Sequence, residues 1–144
     1  MIGQWDAGNK WSMEGCEAGN CLRSHVNITQ TLGALSMITK TGMPSNKVVV
    51  GVTSYGRSFR MAQANCIDPT CTFTGTRNES HAAPGICTGT KGYIANAEID
   101  KIIQENPTAT TWTKDLTDYL VYNDHEWVAY MSDERDQGAL RDHL

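Results

Sequence analysis

Lys47-Val48-Val49-Val50-Gly51-Val52-Thr53-Ser54-Tyr55 is the stretch that decides how this chain reads. Its valines are β-branched and stiff at χ1, and they suit a strand better than a helix. The run does not alternate with polar residues. A strand reads this way when both of its faces are covered, as in a parallel sheet. Upstream, Ile28, Leu32, Leu35 and Ile38 recur at three- and four-residue steps, one face of an amphipathic helix. Asn27 and Gln30 offer a capping box at its start, Gly42 a stop at its end, and Pro44 bars continuation. A helix, a short turn and a doubly buried strand over residues 47–55 make one αβ unit, so the expected fold class is α/β.

Outward from this unit the pattern changes. Residues 1–24 are rich in Gly and Asn and read as a loop closed by Cys16 and Cys21. Residues 60–91 lose all periodicity, hold Cys66, Cys71 and Cys87, and read as a disulfide-held, loop-rich insertion. Helical spacing returns over residues 94–105 through Ile99, Ile102 and Ile103, and Pro107 ends it. The Thr-rich stretch 108–117 reads as a loop or an irregular edge strand. Residues 120–122 and 127–131 read as paired strands around Asn123-Asp124. Ser132 can cap a last helix, with Asp133 and Glu134 at the positive end of its dipole.

The 144 residues give room for one domain, or a domain with a small appendage. Hydrophobic residues at 40% against 19% charged allow a modest core and exclude disorder by composition. A formal net charge of −4 with no basic block argues against a nucleic-acid or anionic-membrane partner. Apolar runs fall far short of the ~20 residues that span a bilayer. Five cysteines and two sequons, at Asn27 and Asn78, point to an oxidising, secretory setting. No secretion signal follows Met1, and the cysteine count is odd. Both features are expected of an internal piece of a longer secreted protein. Cys16 and Cys21 are spaced for a small bridged loop. Cys66, Cys71 and Cys87 allow three pairings, and the sequence does not choose among them.

Chemistry-bearing residues are few. Asp6, Glu14, Asp100, Asp115, Asp124, Asp133 and Glu134 form no strand-end carboxylate cluster and read as solvated loops and helix caps. Glu98 has two readings. It either faces Arg57 across a cleft as a carboxylate–guanidinium pair, or it stabilises the first turn of its own helix, which spacing alone favours. Cys66, Cys71 and Cys87 with His81 lack the Cys-x2-Cys spacing of a zinc site, so no metal is expected. His25, His125 and His143 are scattered and read as solvated or structural. No phosphate loop, dinucleotide fingerprint or nucleophile elbow occurs, so no cofactor is expected. Trp5, and Tyr55-Gly56-Arg57 at the end of the valine run, are either ligand-binding aromatics at a strand's carboxyl end or ordinary core residues.

A series of motifs carries a resemblance. Gly3-Gln4-Trp5-Asp6, Pro44-Ser45-Asn46-Lys47-Val48-Val49-Val50-Gly51, Ser54-Tyr55-Gly56-Arg57-Ser58-Phe59, Pro84-Gly85-Ile86-Cys87-Thr88, Gly92-Tyr93-Ile94 with Glu98-Ile99, and Trp127-Val128-Ala129-Tyr130-Met131 stand in the order found in family 18 glycoside hydrolases. The chain resembles a fungal chitinase of the killer-toxin-like type along nearly its whole length. The resemblance implies a partial TIM barrel with an α+β chitinase insertion domain. On that map residues 1–59 run from the end of strand 6 through helix 6 to strand 7. Residues 60–131 are the insertion domain, and residues 132–144 open helix 7. It also implies a secreted protein whose partner is chitin or a chito-oligosaccharide. Hydrolysis in the family is retaining and assisted by the substrate's own acetamide. The family's Asp-x-x-Asp-x-Asp-x-Glu acid motif does not occur in these residues, so no catalytic residue is assigned and the lone chain is expected to be inactive. A non-catalytic chitin-binding module is the alternative. The resemblance carries over binding roles only, for Trp5, Tyr55, Arg57 and Glu98.

Overall fold

The computed structural model describes residues 18–132, apart from positions 69 and 77. Helix α1, Ile28–Lys40, comes first. Then follow strand β1 (Tyr55–Arg60), strand β2 (Tyr93–Ala95), helix α2 (Asn96–Glu105) and strands β3 (Thr110–Lys114), β4 (Thr117–Tyr122) and β5 (Glu126–Tyr130). The strands form one five-stranded sheet in the order β2-β1-β5-β4-β3, and every pairing is antiparallel.

The pleat of this sheet sorts side chains onto two faces, and each face carries its own core. On one face Ile94, Leu120, Tyr122, Val128 and Tyr130 pack under α2 through Ile99. On the other, Phe59, Val121, Trp127 and Ala129 pack against Leu22, Met61, Cys71 and Phe73 from the irregular segments. Trp127 and Ala129 alternate with Val128 and Tyr130 along β5, so a strand buried throughout serves both cores. Burying a side chain such as Phe59, Leu120 or Val128 contributes about 1.5–3 kcal/mol against solvent exposure.

The turn between β4 and β5 has Asn123 and Asp124 in the left-handed region, at φ 49° and 62°. That is the geometry of a tight hairpin, and these residue types tolerate it. The Thr-rich stretch supplies β3 as an edge strand, and α2 stops at Glu105 ahead of Pro107 as its sequence indicates.

Three expectations are corrected. The strand read over residues 47–55 does not form. Ser45–Lys47 is a short 3-10 turn, residues 48–53 take no regular structure, and pairing begins at Tyr55. Val49 is 94% exposed. A strand covered on both faces needs a neighbour along each edge, and no described strand pairs with this run. Helix α1 forms with half of the expected capping box, Asn27 Oδ1 accepting from the Gln30 N–H at 3.0 Å, yet none of its residues is buried. Finally, Ile94 belongs to β2 rather than to the following helix: it pairs with Gly56 of β1 and buries its side chain in the core under α2. The partial barrel expected from the resemblance is therefore not visible as such. The described residues form a small antiparallel sheet with two helices.

Candidate functional site

The register between β1 and β2 builds a pocket. Tyr55 stands opposite Ala95, and Arg57 opposite Tyr93. Alternation puts Tyr55 and Arg57 on the face away from Gly56, while Ile94 turns under α2 and leaves Tyr93 and Ala95 beside them. These four residues, with Ser54 and Thr88, line an open cleft of about 350 Å³.

Aromatic and cationic groups converge there. The Tyr55 and Tyr93 rings lie 5.9 Å apart with 59° between their planes. The Arg57 guanidinium carbon is 5.7 Å from the Tyr55 ring centre and 5.8 Å from that of Tyr93, within the range of a cation–π contact. His25 stacks on Tyr55 at 5.7 Å and 11°. Neither nitrogen of His25 is solvent-accessible or hydrogen-bonded. Burial, and after it the nearby positive charge of Arg57, pull its pKa down to about 4. The imidazole is therefore neutral near pH 7 and serves as an aromatic plate against which Tyr55 rests.

Glu98 lies behind the cleft wall. At the third position of α2 its carboxylate reaches back over the helix start and accepts from the N–H of Ala95 at 3.3 Å. This is half of a capping box, since Ala95 has no side-chain acceptor to return the bond. The same carboxylate accepts from the N–H of Cys87 at 2.6 Å, the N–H of Thr88 at 3.2 Å and the Thr88 hydroxyl. Gly85 makes room for it: a Cβ there would lie 2.6 Å from Glu98 Oε1. Burial pushes the carboxyl pKa up, but the bonds from the Thr88 hydroxyl and from the N–H groups of Cys87, Thr88 and Ala95 outweigh it and hold the group below its ordinary value. The carboxylate–guanidinium pair with Arg57 is not formed. Glu98 is instead the anchor of the 84–88 loop.

Of the residues expected to bind, Tyr55 and Arg57 are thus brought together, and Trp5 lies outside the described residues. Tyr93 and Thr88 are pocket residues to which the sequence motifs assign no binding role. Tyr93 becomes a neighbour of Arg57 only through pairing across more than thirty intervening residues, which no local pattern reveals. Among the cysteines, Cys66 and Cys71 form a disulfide, which removes both from any zinc site, and Cys87 is free and exposed. Cys21 is also disulfide-bonded, while its expected partner Cys16 lies outside the described residues. Asn78 is exposed in the turn closed by the bridge between Gly75 and Ser80.

No family model matches the chain. It is 53% identical over 138 residues to Secreted chitinase LysM12 of Penicillium expansum, and 58% identical over 136 residues to Probable chitinase LysM18 of the same organism. These alignments cover 93% and 92% of this chain and 9% of each relative. The chain therefore spans less than a tenth of the length of these curated relatives. Among solved structures, a variant of the GH18 chitinase from Cycas revoluta in complex with (GlcNAc)4 superimposes with a TM-score of 0.61. That match has 21% identity and covers 85% of this chain and 32% of the other. The resemblance carried by the motifs is borne out: in sequence the chain is similar to fungal chitinases, and in fold it matches the insertion-domain region of family 18 chitinases.

Proposed function

We propose that this chain is the sugar-gripping portion of a secreted family 18 chitinase, and that the β1–β2 cleft binds N-acetylglucosamine oligomers. The observation that carries this reading is the convergence of Tyr55, Tyr93 and Arg57 on one open cleft. A pyranose ring has an apolar face of axial C–H groups, which an exposed tyrosine ring such as that of Tyr93 can cover. Arg57, Ser54 and Thr88 supply polar groups for hydroxyls and acetamides. The similarity to chitinases, one of them named as secreted, and to a GH18 chitinase holding (GlcNAc)4 supports the same ligand class and an extracellular parent.

In the intact parent the reaction is hydrolysis of β-1,4 links with retention, the substrate's acetamide acting as nucleophile. On this reading the barrel takes residues 1–59 and 132–144 and the insertion domain residues 60–131, with β1 crossing that boundary to join the insertion-domain sheet. Trp5 adds a further stacking ring, and the acid–base carboxylate comes from elsewhere in the parent, so the 144 residues alone bind without turning over. Titration of the chain with chitotetraose, with cellotetraose as the control lacking acetamides, tests the reading. Saturable binding of chitotetraose, weakened by Arg57→Ala, supports it. No binding, or equal binding of both sugars, overturns it. Release of shorter sugars by the pure chain would refute the division of labour.

The binding-module alternative draws on one observation: every described pocket residue is carried by the sheet and the loops tied to it. It expects retention of the chain on chitin beads, lost on Trp5→Ala or Arg57→Ala.

A further inference from the structure

The 84–88 loop is closed on a buried anion rather than on backbone alone. Both oxygens of Glu98 are occupied: Oε1 by the N–H groups of Cys87 and Thr88, Oε2 by those of Thr88 and Ala95 and by the Thr88 hydroxyl. Gly85 closes off the remaining side of the carboxylate. Thr88 and Ala95 line the cleft, and Glu98 is not among its described lining residues.

The consequence falls on the Thr88 hydroxyl. A hydroxyl has one proton to give and two lone pairs to receive. An ionised carboxylate can only accept, so the proton of Thr88 Oγ1 points to Glu98. One lone pair takes the Ala95 N–H at 3.2 Å. The other has no partner among the described residues. An unconstrained surface hydroxyl would rotate to serve donors and acceptors alike, whereas this one can offer the cleft nothing but an acceptor.

We propose that Thr88 is a specificity residue of the cleft, accepting a hydrogen bond from a sugar O–H or an acetamide N–H, and that Glu98 is a positioning residue that fixes this polarity without touching the ligand. The proposal rests on the chito-oligosaccharide reading above.

The test is a set of chitotetraose titrations on the full 144-residue chain. Thr88→Val keeps the shape and removes the hydroxyl, and a lost hydrogen bond of ordinary strength weakens affinity about fivefold. Thr88→Ser restores the hydroxyl and should return affinity to within about twofold of wild type, which separates loss of the hydroxyl from collapse of the loop. Glu98→Gln leaves one acceptor oxygen where donors converge on two, so the Thr88 hydroxyl loses its assured acceptor, and binding should weaken at least as much as in Thr88→Val. In the Thr88→Val background Glu98→Gln should cost clearly less affinity than in the wild-type chain, because the part of its effect that runs through the hydroxyl is already gone. Wild-type binding with an unaffected Thr88→Val overturns the proposal. So does a Glu98→Gln loss that persists in full on Thr88→Val, which would mean that none of its effect on binding runs through the hydroxyl. A wild-type chain that does not bind chitotetraose would instead sink the ligand reading on which the proposal stands.

Discussion

Replacing Gly56 with alanine puts a methyl group into the tightest part of the sheet. Its Cβ would lie 2.5 Å from Val128 Cγ1, 3.0 Å from the Ala129 carbonyl oxygen and 3.0 Å from Ile99 Cδ1. The side chains can yield a little, but the carbonyl is part of the β1–β5 ladder and cannot. Overpacking of this kind costs about 1–3 kcal/mol. Alanine also restricts the unfolded chain, which offsets about 0.4–1 kcal/mol. The net loss should be about 1–2 kcal/mol. In urea, with a slope of about 1–3 kcal/mol per molar, the midpoint should fall by about 1 M with the slope unchanged. Val128→Ala removes the nearest clashing atom. The double variant should therefore be more stable than the two single losses predict, by about 1 kcal/mol. Tyr55 and Arg57 flank Gly56, so the same shift should broaden the aromatic signals of the cleft. A Gly56→Ala chain that unfolds at the wild-type midpoint would refute the packing of β1 against α2 and β5.

Further outcomes follow from the same contacts. Gly85→Ala displaces the Glu98 carboxylate, and the loss of charged hydrogen bonds should cost about 2–4 kcal/mol by urea unfolding; the penalty should shrink when Glu98 is also alanine, and an additive pair would contradict the clamp. His25 gives a pH dependence of definite sign. Its folded pKa of about 4 lies below the ordinary 6.5, so its contribution to stability is complete above about 6.5 and drains away as the pH falls toward 4. Partial solvent exposure limits the effect to ~1–2 kcal/mol. His25→Phe should remove that slope while keeping the stack on Tyr55, and an unchanged slope in urea midpoints between pH 7.5 and 4.5 would refute it. Glu98, held below its ordinary 4.5, adds a loss of stability only at lower pH. Opening the Cys66–Cys71 bridge, a separation of 5 residues, should cost about 2 kcal/mol, read as the stability of the Cys66→Ser/Cys71→Ala chain.

Local signals in the sequence carried local structure well. The cap at Asn27, the Pro107 stop after α2 and the Asn123-Asp124 turn each act within a few residues and appear where expected. The valine run shows where such signals fail. Its composition states that it wants to be a buried strand, but a strand exists only with a partner, and β-pairing is non-local. The cleft was half legible for the same reason. Tyr55 and Arg57 are two residues apart, so strand alternation joins them at once. Tyr93 and Thr88 reach them only through a pairing register and a loop folded onto Glu98. Glu98 itself was legible as a first-turn glutamate, but nothing in its spacing indicated that Cys87 and Thr88 would close on it.

The central claim is that the face shared by Tyr55, Arg57 and Tyr93 grips an N-acetylated sugar chain. The most direct measurement is a titration of the isotopically labelled 144-residue chain with chitotetraose, followed residue by residue by NMR. Saturable shifts concentrated at Ser54, Tyr55, Arg57, Thr88, Tyr93 and Ala95, with cellotetraose far weaker, are the predicted result. Shifts confined to another surface, or no shifts at millimolar sugar, would contradict the account.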